Sequence, residues 1–169
     1  VEEQLREPSV SHGGGGKIVE QVLRGGEVRG VSGGAGVVVS VVALATEERA
    51  RVGHSAAISV DIHNKLVNNA MLRWGIDEQK GSYFPRLTSD LLGAFALSEP
   101  ASGSDAFALE TRAVRNGDQW ELTGRKFWIT TGGEAGLVLV FANTDPSKGY
   151  KGITGFLVER EFPGFSVGK

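Results

Sequence analysis

The most chemically suggestive stretch of the chain begins as a short apolar run, 94–97, and then breaks into Ser98, Glu99 and Pro100. Proline cannot donate a hydrogen bond to a β-ladder, so the run predicts one buried strand that stops near Glu99. Small residues, hydroxyl groups and a carboxylate follow as far as Asp105. A strand end of this kind lets backbone amides approach a ligand closely. An ordinary turn after a strand is the alternative interpretation.

Composition excludes several classes of site. The chain has 169 residues, 40% apolar and 22% charged, which is typical of a globular protein with one domain or two small ones. A net charge of −2 gives no electrostatic reason to expect nucleic acid or an anionic membrane as a partner. The absence of cysteine excludes disulfides, cysteine-ligated zinc and a cysteine nucleophile. The histidines, His12, His54 and His63, are scattered, so we expect no metal site.

The N-terminal part is unusual in its glycine content. The chain has 25 glycines, twice the ~7% of an average protein, and many lie before residue 37. The longest apolar run, 37–45, is shorter than the ~18 residues of a membrane span. The acidic start, 1–7, lacks an initiator Met and matches neither a signal nor a transit peptide. We therefore expect a fragment or a processed form.

The first half of the chain is predicted to be helical. In the clearest helix, Ile58, Ile62, Leu66 and Ala70 recur every four residues and form an apolar stripe, which Val67, Met71 and Trp74 widen. The valines at the start of 37–51 favour a strand, but the length of that segment favours a helix. Asp77 is expected to cap a short helix that Pro85 limits. The predicted helices are 17–24, 37–51, 55–74 and 78–84, after an irregular or disordered N-terminus at 1–16.

The second half is predicted to contain five or six short strands. Apolar residues alternate with polar ones, and Asn116-Gly117-Asp118 is a strong hairpin turn. This spacing favours an antiparallel β-sandwich or barrel. The fold class is therefore α+β, with a partial N-terminal helical domain at 17–92 and a middle β domain at 93–169. After the first strand, the predicted strands lie within 107–113, 119–123, 126–130, 137–142 and 152–159.

Two ordered motifs then identify a family. Phe95-Ala-Leu-Ser-Glu-Pro-Ala-Ser-Gly-Ser-Asp105, followed by Gly124-Arg-Lys-Phe-Trp-Ile-Thr-Thr-Gly132, resembles the flavoprotein acyl-CoA dehydrogenases. Asp61-Ile-His-Asn64 and Gly149-Tyr-Lys-Gly-Ile-Thr154 are most similar to the short/branched-chain members. The resemblance covers 37–169 and extends weakly back to about residue 17.

The resemblance implies FAD-dependent α,β-dehydrogenation of a short or branched-chain acyl-CoA thioester. It places Ser98 near the flavin pyrimidine edge, Trp128 against the isoalloxazine and Thr130 near flavin N5. It also implies that Ser104 and Tyr150 touch the acyl-CoA. Each residue has a plainer alternative: a core aromatic for Trp128, an ordinary strand residue for Thr130 and a loop tip for Tyr150. The implied FAD-binding residues are Phe95, Ala96, Leu97, Ser98, Gly103, Ser104, Trp128, Ile129 and Thr130.

The resemblance also implies that part of the machinery is missing. The family's general base is a glutamate of a C-terminal helical domain that we expect this chain to lack, so Glu99 is not assigned as the base and no catalytic residue is predicted. We expect little or no dehydrogenase activity from this exact chain. The alternative to an enzyme fragment is a non-catalytic, truncated flavin/acyl-CoA-binding module. Ser102, where the family usually has alanine, is a further departure.

The resemblance also bears on related families, on partners and on location. Acyl-CoA oxidases and nitroalkane oxidases share related folds, whereas the paired motifs argue against a plain β-sandwich adhesion or carbohydrate domain. The resemblance implies an electron-transferring flavoprotein as the acceptor and a homotetramer for the full-length parent. It implies the mitochondrial matrix as the location in a eukaryote and the cytoplasm otherwise.

Overall fold

The computed structural model describes residues 39–168, and it describes side chains from residue 43 onward. The irregular terminus predicted for 1–16, the helix predicted for 17–24 and the glycine-rich turn at 30–36 lie outside the described residues. Residues 39–168 form a run of helices and then a sheet.

The first half of the described chain is helical, as predicted. Helix α1 confirms the prediction for 37–51 from residue 39 onward, and the helix predicted for 55–74 is present as an unbroken run from His54 to Trp74. The elements are α1 (Val39–Val52), α2 (His54–Asp61), a π-helical segment (Ile62–Asn68), α3 (Asn69–Trp74) and α4 (Asp77–Leu87).

The predicted apolar stripe of this run is only partly buried. Its members Val67, Ala70 and Met71 are buried, which confirms that part of the prediction. Ile58 and Leu66, which belong to the same stripe, are 52% and 39% exposed. A π turn bonds residue i to i+5 and holds more residues than an α turn, so a repeat of four does not stay on one face along the whole run.

Helix α4 is longer than predicted at both ends. It starts at Asp77, and Gln79 accepts a hydrogen bond from the backbone N–H of Ile76 (3.1 Å), so Gln79 rather than Asp77 provides the side-chain cap. Pro85 lies inside the helix, which continues to Leu87. A proline N removes the bond to the carbonyl four residues earlier, here that of exposed Gly81, which water can satisfy.

A five-stranded sheet forms the second half, so the α+β class is confirmed. The sheet is mixed rather than wholly antiparallel: β1 and β2 both run parallel to β4, whereas β5 pairs with β4 antiparallel along its whole length. Parallel pairing joins segments far apart in sequence, which local alternation does not specify. The strands are β1 (Gly93–Ala96), β2 (Arg112–Asn116), β3 (Gln119–Thr123), β4 (Leu137–Asn143) and β5 (Ile153–Glu159).

The hairpin turn is confirmed, but two predicted strands are not. Asn116 pairs with Gln119 across a two-residue turn in which Gly117 has φ +63°. Segment 126–130 is not a strand, and Trp128 in it has a left-handed backbone (φ +59°), far from the extended conformation of a regular strand. Of segment 107–113, only its last two residues belong to β2, and residues 106–108 form a 3₁₀ turn.

The helices and the sheet share a hydrophobic core. Strand β4 is buried on both faces, with Leu137, Leu139 and Ala142 fully inaccessible. His63 joins the two halves: the Gly93 N–H donates to its Nδ1 and its Nε2 lies 2.9 Å from the carbonyl of Leu87. His63 therefore connects the end of the helices to the first strand. The helices end at Leu87 and the strands begin at Gly93, but the division into two domains near residue 92 stays a prediction.

Candidate functional site: two loops joined by a buried ion pair

The loop after β1 is held by its own backbone and by one buried hydroxyl. Glu99 and Ser102 exchange both backbone hydrogen bonds, at 2.9 and 3.1 Å, which closes a tight turn over Pro100. Ser102 is 1% exposed, and its hydroxyl donates a hydrogen bond to the carbonyl of Asp105 (2.8 Å). Ser102, which departs from the family pattern, thus stabilises the loop from within.

Glu99 is the structural centre of this loop. Its carboxylate accepts hydrogen bonds from the backbone N–H groups of Glu110 and Thr111, the latter at 3.1 Å. It also pairs with Lys126, whose Nζ lies 2.6 Å from Oε1. Both side chains are buried, at 3% and 10% exposure. One carboxylate therefore connects the β1 loop, the start of β2 and the second motif.

The charges of this pair are held by their surroundings. Burial would raise the pKa of Glu99, but hydrogen bonds from Lys126 and from the two backbone N–H groups outweigh it and lower that pKa. Burial lowers the pKa of Lys126, and Glu99 partly opposes that change. A carboxylate that is occupied on both oxygens and kept ionised is a poor proton acceptor. That Glu99 is not the catalytic base stays a prediction.

Lys126 and Phe127 fix the loop after β3, which begins at Gly124 and is called the second loop, against the loop after β1. Lys126 Nζ also donates to the carbonyl of Leu97 (3.0 Å), and the Phe127 N–H donates to the carbonyl of Ser98 (2.9 Å). These bonds place 97–98 directly beside 126–127, although 29 residues separate the bonded partners. The two motifs found in the sequence therefore form one continuous surface.

Gly124 is required where the second loop leaves β3. A Cβ at this position would lie 2.7 Å from the Cβ and 2.8 Å from the Cα of Thr111. These contacts are shorter than real Cβ atoms make, and backbone cannot easily shift to relieve them. The glycine that opens the second motif is explained by this close approach of two chain segments.

Trp128 is held away from the protein in a strained conformation. Its side chain is 91% exposed, and its φ of +59° is rare for any residue other than glycine. Thr131 has φ +60°, so two left-handed residues flank Ile129 and Thr130. Strained backbone of this kind concentrates at functional sites. The expectation that Trp128 is not a core aromatic agrees with this exposure.

The other predicted flavin-binding residues differ in whether their side chains pack in the protein or are free to contact a ligand. Phe95 packs on Phe141 with ring centroids 5.1 Å apart, and Ala96 and Ile129 contribute side chains to an apolar cluster under the loops. The Ala96 side chain is buried, whereas those of Phe95 and Ile129 are partly exposed. The hydroxyls of Ser98 and Thr130 are half-buried and form no hydrogen bond among residues 39–168.

What the two loops leave free can be compared with the needs of a flat cofactor. The Trp128 indole is 91% exposed, and the hydroxyls of Ser98 and Thr130 form no hydrogen bond within residues 39–168. An outward indole and two free hydroxyls suit a planar group that carries hydrogen-bonding edges. A Cβ built on exposed Gly103 meets nothing within 4 Å, as at exposed Gly133, so this glycine leaves room for a ligand without requiring one.

Tyr150 lies on a turn after β4. Asp145 accepts from the Ser147 N–H (3.1 Å) and starts the 3₁₀ turn Pro146–Gly152, in which Gly149 has φ +56°. The Tyr150 ring is 59% exposed and stacks at a tilt on Phe107, with centroids 5.4 Å apart. Phe107 lies three residues after Ser104, so the structure brings the Tyr150 turn to the loop that carries Ser104.

Several residues of this arrangement were not assigned from the sequence. The second motif contains two adjacent cations, Arg125 and Lys126, and Glu99 is the one carboxylate of the first motif before Asp105. Opposite charges in two paired motifs were the available signal for the Glu99–Lys126 ion pair. Phe107 carried no such signal. Among the described residues, no cluster of potential metal ligands occurs and no helix is long and apolar enough to cross a membrane.

Two family models match the chain. The N-terminal domain of acyl-CoA dehydrogenases matches residues 13–90, and the middle domain of acyl-CoA dehydrogenases matches residues 94–169. Rat mitochondrial short/branched chain specific acyl-CoA dehydrogenase is 43% identical over 90% of this chain and 35% of the relative. A probable short/branched chain specific acyl-CoA dehydrogenase of Dictyostelium discoideum is 47% identical over 90% of this chain and 37% of the relative.

Solved structures show the same relationship. Butyryl-CoA dehydrogenase of Megasphaera elsdenii has a TM-score of 0.76 at 40% identity, over 80% of this chain and 36% of that one. Glutaryl-CoA dehydrogenase of Mycobacterium smegmatis, in complex with FADH2, has a TM-score of 0.68 at 38% identity, over 74% and 31%. A chain described as the electron transferring flavoprotein of Acidaminococcus fermentans has a TM-score of 0.77 at 40% identity, over 81% and 36%. The chain spans 35% and 37% of the length of the two curated relatives named above.

Proposed function

The chain belongs to the acyl-CoA dehydrogenase family, and from this premise we propose that residues 95–104 and 126–130 form one wall of a flavin/thioester cleft. The enzyme that contains this wall would oxidise short or branched-chain acyl-CoA thioesters between Cα and Cβ, with FAD as cofactor. The single observation that carries the proposal is the strained Trp128 indole, 91% exposed, on a loop bonded to the end of β1. A ring held out at an energetic cost needs a partner outside the described fold.

Each residue has a role that follows from what it presents. Trp128 would cover one side of the isoalloxazine and exclude water from it. The free hydroxyls of Ser98 and Thr130 would bond its polar edges, and the open space at Gly103 would allow close backbone approach. Ser104 and Tyr150 would contact the acyl-CoA. FAD, when bound, supplies the capacity to accept the hydride lost from the β carbon.

Glu99 and Lys126 have a different role in this proposal. They touch neither ligand but hold the two loops at a fixed separation, through bonds to Leu97, Thr111 and each other. The α proton must be removed by another group. We assign that base outside the described residues, because the carboxylate of the first motif is already bonded to two backbone N–H groups and an ammonium group.

The proposal is tested by flavin and thioester binding. Purified chain should quench the fluorescence of added FAD, and isobutyryl-CoA should then perturb the visible flavin spectrum. An apparent FAD dissociation constant that is no tighter than that of an unrelated globular control protein would contradict the proposal. Riboflavin, tested in parallel, separates contacts made by the isoalloxazine from contacts made by the rest of FAD.

Binding without turnover is the second candidate function, and the engagement of Glu99 favours it. Reduction of a dye acceptor with isobutyryl-CoA and FAD distinguishes the two. Binding with no dye reduction supports a non-catalytic flavin/acyl-CoA-binding module, or an enzyme part whose base lies elsewhere. Clear turnover would contradict the assignment of the base outside the described residues.

The partners and the location are further proposals. We propose that an electron-transferring flavoprotein accepts the electrons and that the complete enzyme is a homotetramer. In a eukaryote the protein would work in the mitochondrial matrix, and otherwise in the cytoplasm. The names of the mitochondrial relatives support the first location.

A further inference from the structure

Two of the large exposed aromatic side chains in the described chain pair with each other. Phe107 is 67% exposed and Tyr150 is 59% exposed, and their ring centroids lie 5.4 Å apart with the planes tilted by 40°. This separation and tilt are those of a favourable aromatic pair. Because water surrounds both rings, the contact does little to bury a core, and its position needs another explanation.

The backbone under each ring is fixed by an aspartate. Asp105 accepts from the Phe107 N–H (3.1 Å), and its own carbonyl accepts from the buried Ser102 hydroxyl. Asp145 starts the turn that carries Tyr150, accepting from both the backbone N–H and the hydroxyl of Ser147. Each of two short turns thus holds the backbone of one aromatic residue, and these residues, Phe107 and Tyr150, are 43 positions apart in the sequence.

Phe107 is the aromatic ring that contacts Tyr150 among the described residues. The Tyr150 hydroxyl forms no hydrogen bond within residues 39–168, and Gly149 before it is exposed with φ +56°. The turn that Asp145 starts sets the backbone of Tyr150, and the Phe107 ring contacts its side chain. Because Phe107 follows the loop of Ser98 and Ser104 directly, this contact links the orientation of the Tyr150 ring to that loop.

We propose that Phe107 is a positioning residue that orients Tyr150 toward the acyl-CoA and thereby increases affinity for the thioester but not for the flavin. This inference rests on the proposed function, because it takes Tyr150 as a substrate contact. Phe107 itself touches neither ligand. Its replacement should change thioester binding through the Tyr150 ring and leave the flavin wall, which the Glu99–Lys126 pair holds, unchanged.

The pairing is measured by ¹⁹F NMR on the full chain labelled with 3-fluorotyrosine. The chain contains two tyrosines, Tyr83 and Tyr150, so two resonances are expected, and Tyr150→Phe assigns them. Phe107→Leu should shift and narrow the Tyr150 resonance and leave that of buried Tyr83 in place. Phe107→Tyr keeps a ring and should return the Tyr150 resonance to its wild-type position; it adds a third resonance, which the double variant Phe107→Tyr/Tyr150→Phe assigns. Val114→Ala serves as the exposed control.

The consequence is measured by titrating the same variants with FAD and then with isobutyryl-CoA. Phe107→Leu should weaken isobutyryl-CoA binding at least fivefold with an unchanged FAD dissociation constant, and Phe107→Tyr should bind like wild type. Equal thioester affinity in wild type and Phe107→Leu, or an unmoved Tyr150 resonance, overturns the inference and leaves the proposed function intact. A wild-type chain that binds neither FAD nor the thioester overturns the proposed function and this inference with it.

Discussion

Two tryptophans eight residues apart in the chain are used in opposite ways. Trp120, on β3, is half-buried and packs on Phe156 with ring centroids 5.7 Å apart. Trp128, on the following loop, is 91% exposed and has a left-handed backbone. The first ring contributes apolar burial to the sheet, whereas the second gains almost none and sits in a strained conformation. The difference separates residues that stabilise the fold from residues that the fold displays.

The largest expected effect comes from breaking the ion pair that holds the displayed loop. Lys126→Met leaves the buried Glu99 carboxylate without its cation, which should lower the free energy of unfolding by about 3–5 kcal/mol. Lys148→Met, which removes an exposed partner of Asp145, should cost less than about 1 kcal/mol. Urea unfolding followed by circular dichroism measures both. Equal, small losses would show that the Glu99–Lys126 pair does not hold the loops.

Removing the core tryptophan should have the next largest effect. Trp120→Ala deletes the ring that packs on Phe156 and should lower the free energy of unfolding by about 2–4 kcal/mol. Trp128→Ala removes a ring that is almost wholly in water and should change it by less than about 0.5 kcal/mol. Parallel urea titrations of the two variants measure the contrast. A Trp128→Ala variant as unstable as Trp120→Ala would place Trp128 in a core after all.

Acid should weaken the loop-holding pair in a defined direction. The pKa of Glu99 is lower in the folded chain than its ordinary value of 4.5, so its ionised form stabilises the fold fully above that value. This contribution is lost as pH falls through the folded-state pKa. Unfolding free energies measured between pH 6 and pH 3 should therefore decline below about pH 4.5.

Glu99→Gln identifies the source of that decline. The variant is less stable throughout because Lys126 loses its partner, but its acid slope should be shallower than that of wild type. Glu121→Gln, which changes an exposed carboxylate on β3, should keep the wild-type slope. An unchanged slope in Glu99→Gln would assign the acid sensitivity to other carboxylates.

The smallest expected effect is that of Trp128→Gly, which should not lower the free energy of unfolding. Glycine adopts φ near +60° without steric cost, so Trp128→Gly should leave stability unchanged or raise it by up to about 1 kcal/mol. Val114→Gly, at an exposed position of β2 with ordinary backbone, should lower stability by about 1 kcal/mol. Thermal unfolding of the two variants compares them. A clear loss in Trp128→Gly would mean that the ring makes contacts that stabilise the fold.

The same contrast explains what could be predicted from the sequence. A repeat of four predicted the helical run that ends at Trp74, an apolar run predicted a strand at 137–142, and Asn116-Gly117-Asp118 predicted the hairpin turn, because these elements depend on local residues. Segment 126–130 was predicted to be a strand but is not one. Its conformation depends on bonds to Leu97, Ser98 and Glu99, which no local pattern contains.

The sequence predicted where the candidate site lies but not the contacts that hold it together. The two motifs placed Ser98 and Trp128 in one family pattern, and the structure brings their loops together. The means of doing so, the Glu99–Lys126 pair, is a contact over 27 residues, and the pairing of Phe107 with Tyr150 spans two loops. Likewise, Leu66 and Val67 both belong to the predicted apolar stripe, but on the π-helical segment only Val67 is buried, a difference that a helical repeat of four does not predict.

The most direct test of the central claim is the FAD affinity of Trp128→Ala beside that of Trp74→Ala, a partly exposed tryptophan at the end of α3. If Trp128 is displayed for the flavin, Trp128→Ala should bind FAD at least tenfold more weakly than wild type, with an unchanged unfolding midpoint. Trp74→Ala should bind FAD like wild type. An unchanged FAD dissociation constant in Trp128→Ala would contradict the claim that this strained, exposed ring is part of a flavin site.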